Sequence, residues 1–396
     1  MSSQAQREQS GVVGTGEPET ASPVAPAGAE QAPQTAYVAS QWRLMWWKFK
    51  RHKLAMFGGA VVILLYLIAI FAEFLAPADP NLVSSTYTYA PPQTLRLFTT
   101  NDQGTQIGPH VFGLESEIDQ ATLSRTFTID ESQRIPVGFF VRGHEYKLFG
   151  LIPADRHLIG PKDPSQPMYI LGADRLGQDL LSRLVYGTRV SMSIGLVGVL
   201  ISLVLGILLG GISGYFGGAI DTFIQRVIEF IRSIPTIPLW LGLAAALPRT
   251  WTPLQVYFGI TIILSIIGWT GLARVVRGRF LSLREEEFVT AARLDGSSEM
   301  RIILRHMVPS FLSHIIASLT LAVPATILAE TTLSFLGLGL RSPINSWGVL
   351  LEEAQNIRSI STAPWLLLPG LLVVIAVLAL NFLGDGLRDA ADPYAS

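Results

Sequence analysis

The sequence predicts an all-α polytopic membrane protein with about six transmembrane helices and a small β-containing insertion on the extracytoplasmic side. Charged residues make up 15% of the chain, well below the roughly 25% of soluble proteins. The mean hydropathy is +0.41. Several apolar runs approach the roughly 20 residues that cross about 30 Å of hydrocarbon. These observations argue against two or three soluble domains, for which 396 residues would be enough.

The N-terminal part is predicted to change from a disordered tail to a membrane anchor. Residues 1–37 are rich in Gln, Ala, Pro, Glu, Ser and Gly, so they cannot bury enough apolar surface to order themselves. They also lack the pattern of a signal peptide. In the segment 38–77, a basic and aromatic stretch, Trp42–Lys53, suits an interfacial helix on anionic lipid. It precedes the first span, Leu54–Ala76, and fixes the N-terminus inside.

The membrane core is predicted at residues 189–388, with a short cytoplasmic tail at 389–396. Five further spans are expected at Val190–Tyr215, Phe223–Leu247, Leu254–Val275, Phe311–Leu336 and Trp365–Leu383. Six spans put both termini and the polar loop 276–310 on the same side. Seven arginines from Arg274 to Arg305 favour the cytoplasmic side for that loop.

The segment 78–188 is predicted to lie outside and to form a small, loop-rich β subdomain. Strand-like runs occur at Thr94–Phe98 and Val137–Val141. A turn is expected at Arg142–His144, before another strand at Glu145–Phe149. The insertion either docks a substrate-binding protein or is a surface element without a partner.

The loop between the fourth and fifth spans is predicted to be a helix, a glycine break and a second helix. The first helix has an apolar side and begins with acidic residues that suit its positive end. Gly296 is placed to end it in a left-handed conformation. Ser297 or Ser298 can cap the next helix, and Pro309 marks its end. By physics alone, an ordinary amphipathic connector is an equal alternative.

Two features of the spans predict close helix packing and a break. Small residues recur every four positions in the second span, which gives a smooth face for another backbone; they are Gly198, Ser202, Gly206, Gly210 and Gly214. This face is expected to pack within the chain, with a subunit interface as the alternative. In the third span, Arg226, Glu229 and Arg232 share one helix side and can pair locally. Pro235 should kink or break that helix. This region is a possible inner gate, or else a solvated helix end whose charges reach the interface.

Glu330 is the most deeply placed acid in the predicted spans. Carboxylates within membranes are costly and usually face a protein interior or a cavity. Counting from Phe311 at about 1.5 Å per residue puts Glu330 near the outer boundary. A structural pair with Arg189 or Arg341 and a role in the pathway are equally supported.

Composition excludes several classes of function. The chain has no cysteine, so disulfides, thiol nucleophiles and cysteine-based metal sites are absent. No lysine follows a glycine, so the chain has no phosphate-binding Gly-x-x-x-x-Gly-Lys loop. The net charge of −1 gives no bulk attraction to nucleic acid. If the function of this protein depends on ATP hydrolysis, another polypeptide carries out that hydrolysis.

From about Trp42 to the C-terminus, the chain resembles permease subunits of ATP-binding-cassette (ABC) importers, and within them the second permease of the peptide, nickel and opine branch. The spacing of Ala291, Ala292, Gly296 and Pro309 matches the cytoplasmic loop signature of that family. Thr290, His306 and Val308 stand where the family has Glu, Ile and Leu. Four more motifs share the resemblance: Leu171–Arg183, Gly214–Asp221, Leu333–Gly339 and Asn381–Arg388.

The resemblance implies a permease without its own ATPase motif, in the cytoplasmic membrane. It would pair with a second, similar permease, two ABC ATPase subunits and an extracytoplasmic substrate-binding protein, with no nucleic acid. The chain itself would need no cofactor, because the ATPase subunits bind ATP and Mg²⁺. The implied ATPase-coupling residues are Glu287, Thr290, Ala291, Ala292, Asp295, Gly296, Arg301, Arg305 and Pro309. The candidate residues of a pathway or gate are Arg226, Glu229, Pro235 and Glu330.

The expected cargo is di- or oligopeptides, with oligosaccharides, opines and nickel as alternatives. Nickel is disfavoured because cysteine is missing and the six histidines are scattered. An ion-coupled secondary transporter would call for inverted repeats and ionisable groups at the midplane, and the sequence has neither. A membrane scaffold that transports nothing is the third alternative.

Overall fold

The structure is a computed structural model that describes residues 41–101, 104–118, 120 and 125–391. The predicted tail 1–37 and most of the predicted tail 389–396 lie outside these ranges. Residues 1–44 and 45–396 form separate units, and the contacts below are those of the second unit.

The helices follow the chain in the order expected for a membrane core with an insertion after the first span. Their bounds are α1 Gln41–Arg51, α2 Lys53–Ile70, α3 Ala72–Leu75, α4 Leu180–Phe216, α5 Gly218–Ser233, α6 Thr236–Ala245, α7 Pro253–Leu283, α8 Glu287–Leu294, α9 Glu299–Arg301, α10 Val308–Ser310, α11 Leu312–Phe335, α12 Trp347–Glu352, α13 Ile357–Thr362 and α14 Leu368–Ala391. A π-helical segment, Ile302–Met307, joins α9 to α10.

Within the described residues, five helices are long and apolar enough to cross a membrane; they are α2, α4, α7, α11 and α14. Five of the six predicted spans fall on these helices. The second prediction, Val190–Tyr215, covers only the apolar part of α4, which begins ten residues earlier at Leu180. The boundary at residue 188 therefore cuts through a helix, because Asp179 caps α4 by accepting a hydrogen bond from the Ser182 amide at 2.8 Å.

The third predicted span, Phe223–Leu247, is not one straight helix. Helices α5 and α6 meet at an angle of 86°. Pro235 has no N–H to continue the helical ladder, and Ile234 before it is extended, with φ −89° and ψ 132°. Helices α5 and α6 together, called the bent pair below, make a sixth span only if both helices lie in the membrane. Helix α6 has ten residues and is about 15 Å long, which is half of the hydrocarbon thickness.

The small-residue face of α4 packs against α7 within the chain. A Cβ atom added to Gly210 would lie 2.5 Å from the Ala273 carbonyl oxygen, and one added to Gly214 would lie 2.7 Å from the Arg277 carbonyl oxygen. Side chains larger than hydrogen would push the two backbones apart. The spacing of four therefore predicted a real helix–helix contact.

The insertion forms an antiparallel four-stranded sheet in the order β1-β2-β3-β4. Its strands are β1 Arg96–Asn101, β2 Gly104–Ile118, β3 Arg125–Leu148 and β4 Ile152–Pro161. The turn predicted at Arg142–His144 is wrong, because β3 continues to Leu148 and the register to β4 only shifts between Arg142 and Tyr146. Gly143 fits this bulge because its missing Cβ would lie 2.5 Å from the His157 ring. The chain reverses at Phe149–Leu151 instead.

The sheet is fixed to the end of the first span. His157 of β4 is fully buried. Its two ring nitrogens lie 3.1 Å from the Glu73 and His144 carbonyl oxygens. The Glu73 carboxylate in turn accepts two hydrogen bonds from the guanidinium of Arg189 on α4. This chain of contacts joins β4, α3 and α4.

Candidate functional site

The glycine break of the predicted coupling loop is present. Gly296 has φ +77° and follows α8 directly after Asp295. The amide of Ser297 donates to the Ala292 carbonyl at 3.1 Å, and the amide of Gly296 donates to the Arg293 carbonyl at 3.1 Å. This pair of bonds is a Schellman cap, which needs a left-handed residue at the position of Gly296.

The second helix of the loop is less regular than expected. Ser298 occupies the N-cap position, but its side chain makes no capping hydrogen bond. After three α-helical residues the backbone widens into the π segment, whose last bond runs from the Val308 amide to the Ile303 carbonyl. Pro309 cannot donate a bond and crowds the carbonyl four residues before it, which accounts for the wide turn ahead of it. The helical run ends at Ser310.

The loop buries one side against the ends of the spans. Val289, Ile302 and Met307 are fully buried and belong to one cluster with Tyr215 and Phe280. Of the predicted coupling residues only Ala292 is buried; those that are exposed are Glu287, Thr290, Ala291, Asp295, Gly296, Arg301, Arg305 and Pro309.

The loop also carries four large apolar side chains that are exposed within the described part of the chain. Leu294 is 85% exposed, Leu304 47%, Met300 42% and Phe288 39%. We call these four residues the apolar ridge. Sequence analysis missed the ridge because an apolar residue on an amphipathic helix is ordinarily assigned to the core side.

Two polar contacts, one from α8 of the loop and one from the end of α7 that leads into it, were not predicted. Arg293 of α8 donates to the Tyr215 hydroxyl at 3.0 Å, and this bond raises the pKa of Arg293. Arg277 of α7 donates two bonds, at 2.5 and 2.6 Å, to the Asp221 carboxylate on α5. The two acceptors, Tyr215 and Asp221, both lie in the Gly214–Asp221 motif. That motif is the sequence feature that could have pointed to these contacts.

The candidate gate residues lie on the bent pair. Arg226 donates to Glu229 at 2.7 Å, as their spacing predicted, and the two side chains are 76% and 52% exposed. Exposed pairs of this kind contribute little to stability. Pro235 lies at the 86° bend between α5 and α6.

Glu330 has different partners from those predicted. It is fully buried. Its Oε1 atom accepts hydrogen bonds from the Ser334 and Ser346 hydroxyls at 2.8 Å, and its Oε2 atom accepts one from the Ser191 hydroxyl at 3.3 Å. These serines come from α11, from the N-cap of α12 and from α4.

The predicted pairing of Glu330 with an arginine is therefore wrong. Arg189 binds Glu73 instead. Arg341 donates to the Gly337 carbonyl at 3.1 Å. Three hydroxyl donors supply the hydrogen bonds that a buried carboxylate needs.

Comparison with known proteins places the chain in a family. Residues 202–395 match the binding-protein-dependent transport system inner membrane component, and residues 40–92 match the N-terminal transmembrane domain of oligopeptide transport permease C. The dipeptide transport system permease protein DppC of Bacillus subtilis is 37% identical over 58% of this chain and 70% of its own length. The oligopeptide transport system permease protein OppC of Haemophilus influenzae is 39% identical over 60% and 75%.

Among solved structures, an inward-facing MetNI methionine ABC transporter overlaps 53% of this chain and 96% of its own chain, with 19% identity and a TM-score of 0.40. The two family matches and the curated relatives agree with the apolar helices of the fold. The chain belongs to the binding-protein-dependent transport system inner membrane components, a family of multi-pass transport permeases.

Proposed function

We propose that this chain is one permease subunit of an ATP-driven importer of di- or oligopeptides. The cargo class is supported by the names of the relatives, which are dipeptide and oligopeptide permeases. The observation that carries the coupling role is the apolar ridge. It lies on a loop whose other side is anchored in the membrane core.

The proposed assembly contains a second, similar permease, two ABC ATPase subunits and an extracytoplasmic substrate-binding protein. The ATPase subunits would bind ATP and Mg²⁺ and cover the ridge, with Glu287, Arg301 and Arg305 at its polar margin. Leu294 is the most exposed member of the ridge, at 85%, so it supplies the largest apolar area to such a contact.

The proposed topology puts both termini and the coupling loop in the cytoplasm and the β insertion outside. In this arrangement the substrate-binding protein docks on the extracytoplasmic side, where the sheet of the insertion lies. The bent pair α5–α6 with Arg226, Glu229 and Pro235 would line the inner half of the pathway. ATP hydrolysis on the partners would shift the two permeases between inward- and outward-open states, and no bond in the cargo is made or broken.

Co-purification and coupled hydrolysis test this proposal. The tagged chain is purified from its native membrane, and its partners are identified by mass spectrometry. We expect a second permease and ATPase subunits, whose hydrolysis rises when the peptide-loaded binding protein is added. Leu294→Glu should abolish ATPase retention, because it puts a charge into an apolar contact.

A matched control separates this effect from a general surface change. Ile357→Glu alters a residue of α13 that is 84% exposed and lies away from the coupling loop, so it should retain the ATPase subunits. Purification without any ATPase, or equal retention by both variants, would contradict the proposal. If the binding protein retains an oligosaccharide, an opine or nickel, the chain is still an importer subunit, and only the proposed cargo is wrong.

A further inference from the structure

The turn between β3 and β4 is strongly apolar and exposed. Leu148–Ala154 contains no ionisable residue. Leu151 is 82% exposed, Ile152 57% and Phe149 52%. We call Phe149, Leu151 and Ile152 the hairpin tip. A contiguous exposed patch of this kind marks a surface that another apolar phase covers.

The hairpin tip lies beside the end of the first membrane span. The rings of Phe149 and Phe71 are 6.0 Å apart between centroids. Phe71 is the residue that follows α2. Phe140 of β3 contacts Phe74 of α3, with 5.9 Å between the ring centroids. These contacts make one aromatic surface from the sheet and the helix end.

The length of α2 would put its C-terminal end at the level of a membrane surface. The 18 residues of α2 extend about 27 Å, close to the roughly 30 Å of the hydrocarbon core. Its outward face stays apolar to the end, since Leu67 and Ile70 are 46% and 45% exposed. A ring that contacts Phe71 is therefore at the boundary between hydrocarbon and headgroups.

The hairpin cannot swing away from this boundary without breaking buried contacts. The His157 ring holds β4 to the Glu73 carbonyl, and the Glu73 carboxylate is bound by Arg189. Phe140 and Phe149 also have positive φ, 54° and 55°. This conformation is uncommon for aromatic residues, and both rings lie against the end of the first span, at Phe71 and Phe74.

We propose that the hairpin tip inserts into the lipid interface at the C-terminal end of α2 and anchors the β insertion to the membrane surface. Lys147, which is exposed beside the tip, is placed to reach lipid phosphates. The partner is the lipid itself, because the apolar surface is continuous with the lipid-facing side of α2. The inference requires only that α2 spans the membrane, and it does not depend on the cargo or on the ATPase.

Spin labels can measure this insertion, and the cysteine-free sequence makes single labels simple. Leu151→Cys is labelled with a nitroxide, and the full chain with its co-purifying subunits is placed in phosphatidylcholine–phosphatidylglycerol nanodiscs. Collision with oxygen, which concentrates in lipid, is compared with collision with a water-soluble nickel chelate. Ile63→Cys, in the middle of α2 and 62% exposed, is the hydrocarbon control. Glu131→Cys, exposed near the other end of β3, is the aqueous control.

We expect the Leu151 label to be accessible to oxygen and shielded from nickel, with a ratio several-fold above that of Glu131 and below that of Ile63. Nickel accessibility equal to that at Glu131 would show that the tip lies in water and overturn the proposal. Shielding from both reagents would show that a protein covers the tip and would equally overturn it. If labelling at Leu151 disturbs folding, Ile152→Cys reports on the same surface.

Discussion

The guanidinium of Arg293 makes two contacts with the side chain of Tyr215, a hydrogen bond and a cation–π contact. Arg293 donates a hydrogen bond to the Tyr215 hydroxyl at 3.0 Å. Its central carbon lies 5.6 Å from the centroid of the ring, within the range of a cation–π contact. Tyr215 is the penultimate residue of α4, and Arg293 is in α8. The coupling loop is thus attached to the span that leads to the α5–α6 bend.

This attachment predicts that Tyr215→Phe uncouples the subunit without unfolding it. Phenylalanine keeps the buried ring beside Phe280 and removes only the hydroxyl, so the detergent melting temperature should stay near that of wild type. Hydrolysis stimulated by the loaded binding protein should fall relative to basal hydrolysis. Arg293→Lys is the matched change on the other side, because it keeps the charge and loses the planar donor. Wild-type stimulation in both variants would exclude a role for the contact.

Gly296→Val should damage the coupling loop through backbone strain alone. An added Cβ meets no atom within 4 Å, so crowding is not the cause. The left-handed conformation at φ +77° costs a β-branched residue about 1–2 kcal/mol. We expect membrane insertion to be normal and ATPase retention to be reduced.

Asparagine provides the control for this strain, because it tolerates the left-handed conformation. Gly296→Asn should retain the ATPase subunits nearly as well as wild type. Equal loss in both variants would mean that the bare backbone itself contacts a partner.

Glu330→Gln and Glu330→Leu should differ in stability. Glutamine keeps an acceptor for the Ser334 and Ser346 hydroxyls, so the expected cost is about 1–2 kcal/mol. Leucine leaves three buried hydroxyls without their acceptor and should cost about 3 kcal/mol or more. Detergent melting temperatures measure both changes. If Glu330 also faces the pathway, Glu330→Gln will change the uptake of cationic peptides relative to neutral ones.

The buried carboxyl of Asp179 should make the stability of the protein depend on pH. Burial raises its pKa from 3.8 to about 6, so the folded protein favours the protonated acid. The contribution of the protonated Asp179 carboxyl to the free energy of unfolding is fully present below pH 3.8. It is lost as the pH rises through about 6. The loss is about 3 kcal/mol at most.

Asparagine at this position keeps the helix cap and removes the titration. The melting temperature of Asp179→Asn minus that of wild type should therefore be near zero at pH 4 and largest at pH 7. A difference that is constant across this range would show that Asp179 is ionised throughout.

The topology has a direct test in the cysteine-free chain. Glu117→Cys on β2 should react with a membrane-impermeant thiol reagent in intact cells. Ser298→Cys in the coupling loop should react only after the membrane is opened. Both side chains are exposed, so access to the reagent depends on the side of the membrane. The reverse pattern would invert the proposed orientation.

Features set by one or two neighbouring residues were predictable. The left-handed Gly296, the break at Pro235 and the pair Arg226–Glu229 each depend on local geometry, and the structure has all three. The spacing of four also predicted close packing of α4 against another helix, but it did not identify that helix as α7.

Features that join distant segments were not predictable. Ser191 and Ser346 are more than a hundred residues apart, and no pattern links them to Glu330 before the fold brings α4, α11 and α12 together. The bulge after Arg142 was taken for a turn because Gly143 serves either purpose, and only its contact with His157 decides between them. The apolar ridge was hidden for a related reason, since periodicity does not say which apolar face remains uncovered.

The 37 residues of α4 form one continuous rod about 55 Å long. One end is capped by Asp179 beside the insertion, and the other carries Tyr215 at the coupling loop. Gly210 and Gly214 bring α7 too close for the two helices to slide independently. A tilt of about 10° around its centre would move the two ends of this rod about 5 Å in opposite directions. A displacement at the loop end of α4 would therefore reach the insertion at its other end by leverage, without a change in any helix.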